Sequence, residues 1–258
     1  MLLFQRTQSE IQVADLHNVL YSNNYDLIGV SETWLNDKFD SFLLDPLNAY
    51  NIYRKDRHSD NSAGGACIFV AKKYKSLSLN IEFENVNEDS EIITCAVLHN
   101  NSKLILSCVY LAPNLEIDMF DKALVTLSRI LQSEGTHAVI GDFNLPRIDW
   151  NLMTSSSDIK STTFLDMCLN SGLTQLVEEP TRYKNILDLV LSNNEKCISE
   201  LEVVEPFSTS DHDSIAFVVQ MGSCWSDDRD SINVNNRFKI WQNGRSFRTI
   251  VRISTGIR

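Results

Sequence analysis

The 258-residue sequence predicts one α/β domain, a two-sheet sandwich flanked by helices. Three observations lead there. Short apolar, β-rich runs recur from residue 26 to residue 220; they fall into two strand-dominated sets; and stretches of helical period stand among them with no internal repeat. At 43% hydrophobic residues, a chain of this length can bury one large core.

The elements follow in order. In "SEIQVADLHNVLYSNN", Val13, Leu16 and Leu20 fall at i, i+3 and i+7, an amphipathic helix that stops at its asparagines. "DLIGVSE" is a buried strand. Then "ACIFVAK", "SLSLNIE", "EIITCAVLH" and "KLILSCVYLAP", separated by polar turns such as "HNNSK", read as an antiparallel meander in one sheet. A second helix spans roughly 117 to 133, with Phe120, Leu124, Leu127 and Leu131 in one stripe and Gly135 as its stop. "HAVIGDFN" is the next strand and "TTFLDMCLNSG" a short helix. "LDLVLSN", "SELEVVEPF" and "SIAFVVQ" complete the second set of strands. Residues 1–220 make the domain, and 221–258, aperiodic, acidic at first and basic at the end, are expected to trail it as a poorly ordered tail.

The formal net charge of −11 excludes a protein that coats nucleic acid with a generally basic face, although it leaves room for a local basic rim or a carboxylate cluster around a divalent cation. The six cysteines show no CxxC spacing, and Cys67, Cys95 and Cys108 lie inside apolar runs, so all six are expected to be reduced. That usage suits an intracellular protein, nuclear or cytoplasmic, better than a secreted one. The opening "MLLFQRTQSE" is too short in apolar residues for a signal-peptide core, and no run reaches bilayer length, so no membrane partner is expected.

Polar residues gather at strand ends. Glu32 ends "DLIGVSE", Tyr110 ends "LILSCVY", Asp142 and Asn144 end "HAVIGDFN", Asp188 lies in "LDLVLSN", and Asp211 and His212 precede "SIAFVVQ". If those ends share one rim of the sandwich, rigid strands bring them to a single cleft. Each has a plainer reading alone: a solvated glutamate, a rim tyrosine, an Asp/Asn turn before Pro146. The i, i+2 spacing of Asp142 and Asn144 puts both side chains on one face if the strand persists. Among five histidines, His212 is set apart by an aspartate on each side in "SDHDS", whereas His17, His58, His99 and His137 read as structural or solvated. Trp34 and Trp150 read as packing residues.

Six pieces in order, "LIGVSETWL", "YRKDRHSDNSAGGACIFV", "LSCVYLAPN", "VIGDFNLPRIDW", "PTRYKNILDLVLSN" and "STSDHDSIAFVV", resemble the endonuclease/exonuclease/phosphatase superfamily, and within it the endonuclease domain of non-LTR retrotransposons. The resemblance spans nearly all of residues 26 to 219. It implies a four-layered α/β sandwich and Mg²⁺-dependent hydrolysis of DNA phosphodiester bonds, nicking to a 3′-hydroxyl and a 5′-phosphate, with Mn²⁺ as a substitute cation. It implies that Glu32 binds the metal, with Asp211 as a second carboxylate; that Asp142 orients or deprotonates the attacking water; that Asn144 and Tyr110 contact the phosphate; and that Asp188 orients His212. A carboxylate on one ring nitrogen fixes the tautomer and leaves the other to act on a phosphoryl oxygen. Arg54, Lys55, Arg57 and Arg182 form the expected basic rim for DNA, effective within a Debye length despite the acidic total.

Two departures qualify the resemblance. Family members carry a strand with an asparagine ahead of the first helix, and "MLLFQRTQSE" matches neither, so a central strand and one site ligand lack their usual source. An intact element would also continue into a reverse transcriptase region, a partner absent from this sequence. The expectation is a truncated, element-derived endonuclease. An inactive remnant with weak nucleic-acid binding, or a phosphoesterase for a small phosphorylated substrate, are the alternatives.

Overall fold

The computed structural model describes residues 8–22, 25–36, 39–56, 64–79, 90–99, 101–156, 158–221 and 246–253. Helix α1 (Gln8–Leu20) leads into β1 (Leu27–Ser31), and the one-turn α2 (Ser41–Leu44) into β2 (Tyr50–Lys55) and β3 (Ala66–Ala71). Strands β4 (Lys75–Ser78), β5 (Ile92–His99) and β6 (Ser102–Tyr110) precede α3 (Ile117–Ile130) and β7 (Thr136–Asp142). The small hairpin β8 (Ile148–Asp149) and β9 (Thr154–Ser155) is followed by α4 (Ile159–Asn170), β10 (Thr174–Gln175) and β11 (Asp188–Ser192). Last come β12 (Ile198–Val204), β13 (Ser214–Gln220) and β14 (Ser246–Ile253). One sheet has the order β12-β13-β14-β1-β3-β2 and the other β10-β11-β7-β6-β5-β4.

Period-two alternation builds the layers. In β3, Ala66, Ile68 and Val70 face the second sheet, where Cys95, Val97, Leu104, Leu106, Cys108, Ala138 and Ile140 meet them. Cys67 and Phe69, on the opposite face, pack with Leu16 and Leu20 of α1 and Ile28 of β1. Helices α3 and α4 cover the other sheet, setting Phe120, Leu124, Leu127, Phe164 and Met167 against Val109, Val139, Leu189 and Leu191. The result is the four-layered sandwich, helix, sheet, sheet, helix. Helix α4 is started by Asp158, whose carboxylate accepts the Ser161 N–H at 3.1 Å.

Three expectations are corrected. The meander does not begin at "ACIFVAK": β3 pairs with β1 and β2 in the first sheet, and the chain crosses to the second sheet through the turn before β4. Strand β3 is buried on both faces from Ala66 to Val70, which suits an interior position, whereas β4 is mostly exposed at the second sheet's edge. Neither distinction depends on nearness in sequence. Cys67, Cys95, Cys108 and Cys168 are free and buried, as expected of small apolar side chains, but Cys197 is disulfide-bonded. Residues 246–253, inside the segment read as a tail, form β14, an interior strand parallel to β1 and antiparallel to β13. The sequence reading left a central strand position without its usual source, and the middle of this sheet is taken by a strand from near the other end of the chain. No described helix is long and apolar enough to cross a membrane.

Val251 lies between Gly29 and Ile215 in the ladder. Val251→Pro removes an N–H that an interior strand must use, and an unpaired buried carbonyl costs about 1–3 kcal/mol. Thermal melting of the full chain is expected to fall by roughly 2–12 °C. An unchanged melting temperature would show that β14 carries no part of the sheet's stability.

Candidate active site

Three strands of the second sheet end level with one another. Strands β6 and β7 run parallel with Tyr110 opposite Asp142, and β7 and β11 run antiparallel with Asp142 opposite Asp188. Tyr110, Asp142 and Asp188 therefore form a row, and all three are buried. The first sheet supplies Glu32, the residue after β1, and His212, two residues before β13. Glu32 accepts a hydrogen bond from the Tyr110 hydroxyl, which joins the two sheets at this lip.

The backbone around Asp142 depends on Gly141. Its φ of +133° is a conformation side chains rarely adopt, and a Cβ there would collide with the Val109 carbonyl of β6. Asp142 and Asn144 do come together, but through a turn and not through continued strand alternation. Strand β7 ends at Asp142, Asn144 has φ +49°, and its N–H bonds Asp142 Oδ1 at 3.0 Å. Asn144 Nδ2 donates both hydrogens, to Asp142 Oδ2 at 2.7 Å and to the Leu111 carbonyl at 3.0 Å. The donors expected to meet a phosphate are thus occupied in holding the Asp142 carboxylate.

His212 is 1% exposed, and its Nδ1 lies 2.9 Å from Asp188 Oδ2. Asp188 is fixed in turn by Thr181, whose hydroxyl accepts the N–H groups of Leu187 and Asp188, each at 3.1 Å. The Thr181 carbonyl accepts the Asp213 N–H at 2.8 Å, tying the "SDHDS" turn to β11. Sequence reasoning passed over Thr181, although it stands inside the "PTRYK" piece. Its signal was a small hydroxyl residue next to a proline in an otherwise polar loop, too common to single out.

Burial dominates the site's electrostatics. It raises Asp142 well above the usual carboxylate range, with the charges of Asp188 and Glu32 adding to the shift against the hydrogen bonds from Asn144. Asp188 is raised by desolvation and held back chiefly by His212. Glu32 is also raised by desolvation, against a hydrogen bond from Tyr110, the charge of His212 and a hydrogen bond from Trp34. Tyr110 is pushed far up by burial and then by Glu32 and Asp142, so its hydroxyl keeps its proton and stays a donor.

Several carboxylates crowded out of water call for positive charge. Ligand atoms of Asp142, Asp188 and His212 lie within 4.8 Å of one another, and Asp188 Oδ1 is buried with no hydrogen-bond partner. With Glu32 close enough to act on Asp142, this donor set fits a divalent cation.

The basic residues divide. Arg54 uses all five N–H positions inside the fold: Asp56 takes Nε and Nη2, Phe39 and Ser41 take Nη1, and the Asn36 carbonyl takes Nη2. It is a structural clamp on the loop after β1, which corrects its place in the DNA rim. Lys55 ends β2 level with Ala66 and Ser31. Arg57 lies outside the described residues. Arg182 pairs with Asp211 at 2.5 Å, stands close enough to favour the charged forms of Glu32 and Asp188, and has a buried Nε with no partner. His17 bonds the Leu43 carbonyl at 2.9 Å and His137 the Ser133 carbonyl at 2.8 Å, both structural, while His58 lies outside the described residues. Trp150 packs edge-on against Phe164, 6.4 Å between centroids. Trp34 is 41% exposed beside Glu32.

The architecture is that of solved structures of the endonuclease/exonuclease/phosphatase fold. Residues 104–216 match the profile of a family described as endonuclease-reverse transcriptase. Among solved structures, the chain is similar to the endonuclease domain of TRAS1, a telomere-specific non-LTR retrotransposon, at 14% identity and TM-score 0.61, covering 83% of this chain and 94% of that one. It is also similar to a 3′-5′ exonuclease from Neisseria meningitidis (16%, TM-score 0.59, 80% and 93% covered). An AP endonuclease from Archaeoglobus fulgidus matches as well (13%, TM-score 0.55, 80% and 95%). Among curated proteins the sequence finds no match.

The raised Asp142 has a stability consequence. Between the ordinary Asp range and its raised value, the folded chain holds a proton that the unfolded chain has lost, so this group's contribution weakens as pH rises through that window. Asp142→Asn removes the buried charge and keeps the shape. Without divalent cations it is expected to melt about 2–8 °C above the natural chain near pH 8, with a smaller gap near pH 5. Melts that coincide at both pH values would show that the carboxylates do not repel.

Proposed function

We propose that this chain is a divalent-metal-dependent endonuclease that hydrolyses DNA phosphodiester bonds, of the kind carried by non-LTR retrotransposons. The observation that carries the reading is one cleft in which Asp188 fixes His212 beside a carboxylate, Asp142, that is itself held by Asn144. Glu32 would hold Mg²⁺ beside the Asp142 and Asp188 carboxylates, since that ion takes oxygen donors from one or two carboxylates, while Asp211, ion-paired with Arg182, would be a second carboxylate only after leaving that partner. Mn²⁺ fits the same donors. When bound, the cation neutralises phosphate charge and so lets a polyanion enter a carboxylate-lined cleft.

The chain's own groups supply the rest. Each Asp142 oxygen accepts one bond from Asn144 and keeps a second acceptor direction, so the carboxylate can orient a water molecule and take its proton as oxygen attacks phosphorus. The P–O3′ bond breaks, the attacking water's oxygen stays on the 5′-phosphate, and the departing O3′ takes a proton from solvent to become a 3′-hydroxyl while Asp142 returns its proton to solvent. His212, fixed at Nδ1, acts at Nε2 on a phosphoryl oxygen. Tyr110 remains protonated and steers Glu32. Arg182, close enough to act on Glu32 and Asp188, is the described basic group that would meet the phosphate. Asn144 positions Asp142.

The test is purified protein with supercoiled plasmid and Mg²⁺. Nicking is expected, lost with a chelator and reduced about 10²–10⁴-fold by Asp142→Ala or His212→Ala. A folded protein that nicks nothing would support an inert remnant, and phosphate release from small esters without nicking would support a phosphoesterase.

A further inference from the structure

Glu91 is none of the residues assigned a role above, although its charge reaches Tyr110, and it ties the site's two sheets together. It precedes β5, it is 7% exposed, and its carbonyl accepts the Tyr110 N–H at 3.0 Å. Its side chain reaches the other way, to the first sheet, where Oε2 accepts the Gly65 N–H at 2.6 Å. The carboxylate lies flat on Gly64, where a Cβ would collide with both of its oxygens. That two-glycine turn in turn holds the residues after Glu32: the Gly65 carbonyl accepts the Thr33 N–H at 3.3 Å, and the Gly64 carbonyl accepts the Trp34 N–H at 2.8 Å.

The segment held this way is under conformational demand. Glu32 has φ +53° and Trp34 φ +56°, left-handed values that non-glycine residues adopt only where surroundings enforce them. The Gly64 and Gly65 carbonyls supply the enforcing bonds, and Glu91 fixes the turn that presents those carbonyls. Gly64 and Gly65, at φ +141° and +91°, leave room for the carboxylate on one side and for the Thr33 hydroxyl on the other.

We propose that Glu91 is a positioning residue for the metal-binding carboxylate: through the Gly64–Gly65 turn it sets the backbone of Glu32 and the distance between Glu32 and Tyr110. This rests on the reading of Glu32 as a metal ligand. Glu91 acts by reach and by accepting a hydrogen bond, not by its charge at the cation.

Three full-chain variants separate these properties. Glu91→Gln keeps reach and an acceptor oxygen but loses charge; Glu91→Asp keeps charge but falls one methylene short; Glu91→Ala loses all three. Mn²⁺ or Mg²⁺ binding, measured by titration calorimetry without DNA, is expected to weaken about 10–100-fold in Glu91→Asp and Glu91→Ala and to stay within a few-fold in Glu91→Gln. Hydrogen exchange of the Thr33 and Trp34 amides should speed up in the same two variants while β6 and β7 stay protected. Glu91→Gln behaving like Glu91→Ala, or Glu91→Asp behaving like the natural chain, would overturn the proposal. So would unchanged Thr33 and Trp34 exchange in Glu91→Ala. If Glu91→Ala does not fold, the Gln and Asp pair decides the matter. If the natural chain binds no divalent cation, the metal-ligand reading of Glu32 fails, and the exchange result alone then shows whether Glu91 sets this turn.

Discussion

The structure turns on two aspartates placed opposite one another on adjacent antiparallel strands and then buried. Asp142 and Asp188 face each other across the β7–β11 ladder, an arrangement that is unfavourable for like charges even on an exposed sheet. Burial makes it worse, because the water that would screen them is gone. The surroundings offset this with hydrogen bonds from Asn144 to one carboxylate, a histidine on the other, and Arg182 at the mouth. None of these cancels the charge fully, and both groups keep raised affinities for protons. A cleft in that condition is built to receive positive charge.

Neither sheet contains the whole site. Tyr110, Asp142 and Asp188 end strands of one, while Glu32 and His212 flank strands of the other. The geometry of the cleft is therefore the geometry of the sheet–sheet contact, set by the close-packed layer of Ile68, Val70, Leu104, Leu106 and Ile140 and fastened at its lip by polar bonds that cross the gap. Strand β14 matters for the same reason. It lies between β13, which carries His212 on its leading turn, and β1, which carries Glu32 on its end. Groups that meet in the cleft are held in one sheet by a strand that the chain reaches only after residue 245.

Much of this was legible in the sequence because strand alternation and strand-end polar residues are local signals. "ACIFVA" splits its side chains between two faces as its pattern requires, and the polar ends of "LIGVSE", "LSCVY" and "VIGDFN" lie together, Tyr110 opposite Asp142 and hydrogen-bonded to Glu32. What escaped was nonlocal. Whether "ACIFVA" pairs with the strand before it or after it depends on partners many residues away. The run "SFRTIVRI" is rich in β-branched residues, but its flanks carry no period and its partners lie far upstream. Arg54 looked like a rim residue because a sequence cannot show that five acceptors will surround it. The roles of Asn144 differ for a related reason: "DFN" permits a strand continuation or a turn, and the turn wins because Asn144 satisfies its own amide donors there.

The acidic total gives the proposed activity its character. With net charge −11, the chain as a whole does not attract a polyanion at long range, and Arg54 is hydrogen-bonded within the fold. Encounter with DNA would then gain little from low salt, unlike that of a basic nuclease. Under the proposed function, binding would draw on the cleft itself, where the Arg182 guanidinium and the His212 ring lie at short range in a water-poor setting. Under the same proposal, those contacts would exist only where a phosphate sits between the two sheets. The burial that sets Asp142 against Asp188 would then concentrate recognition and chemistry at one point.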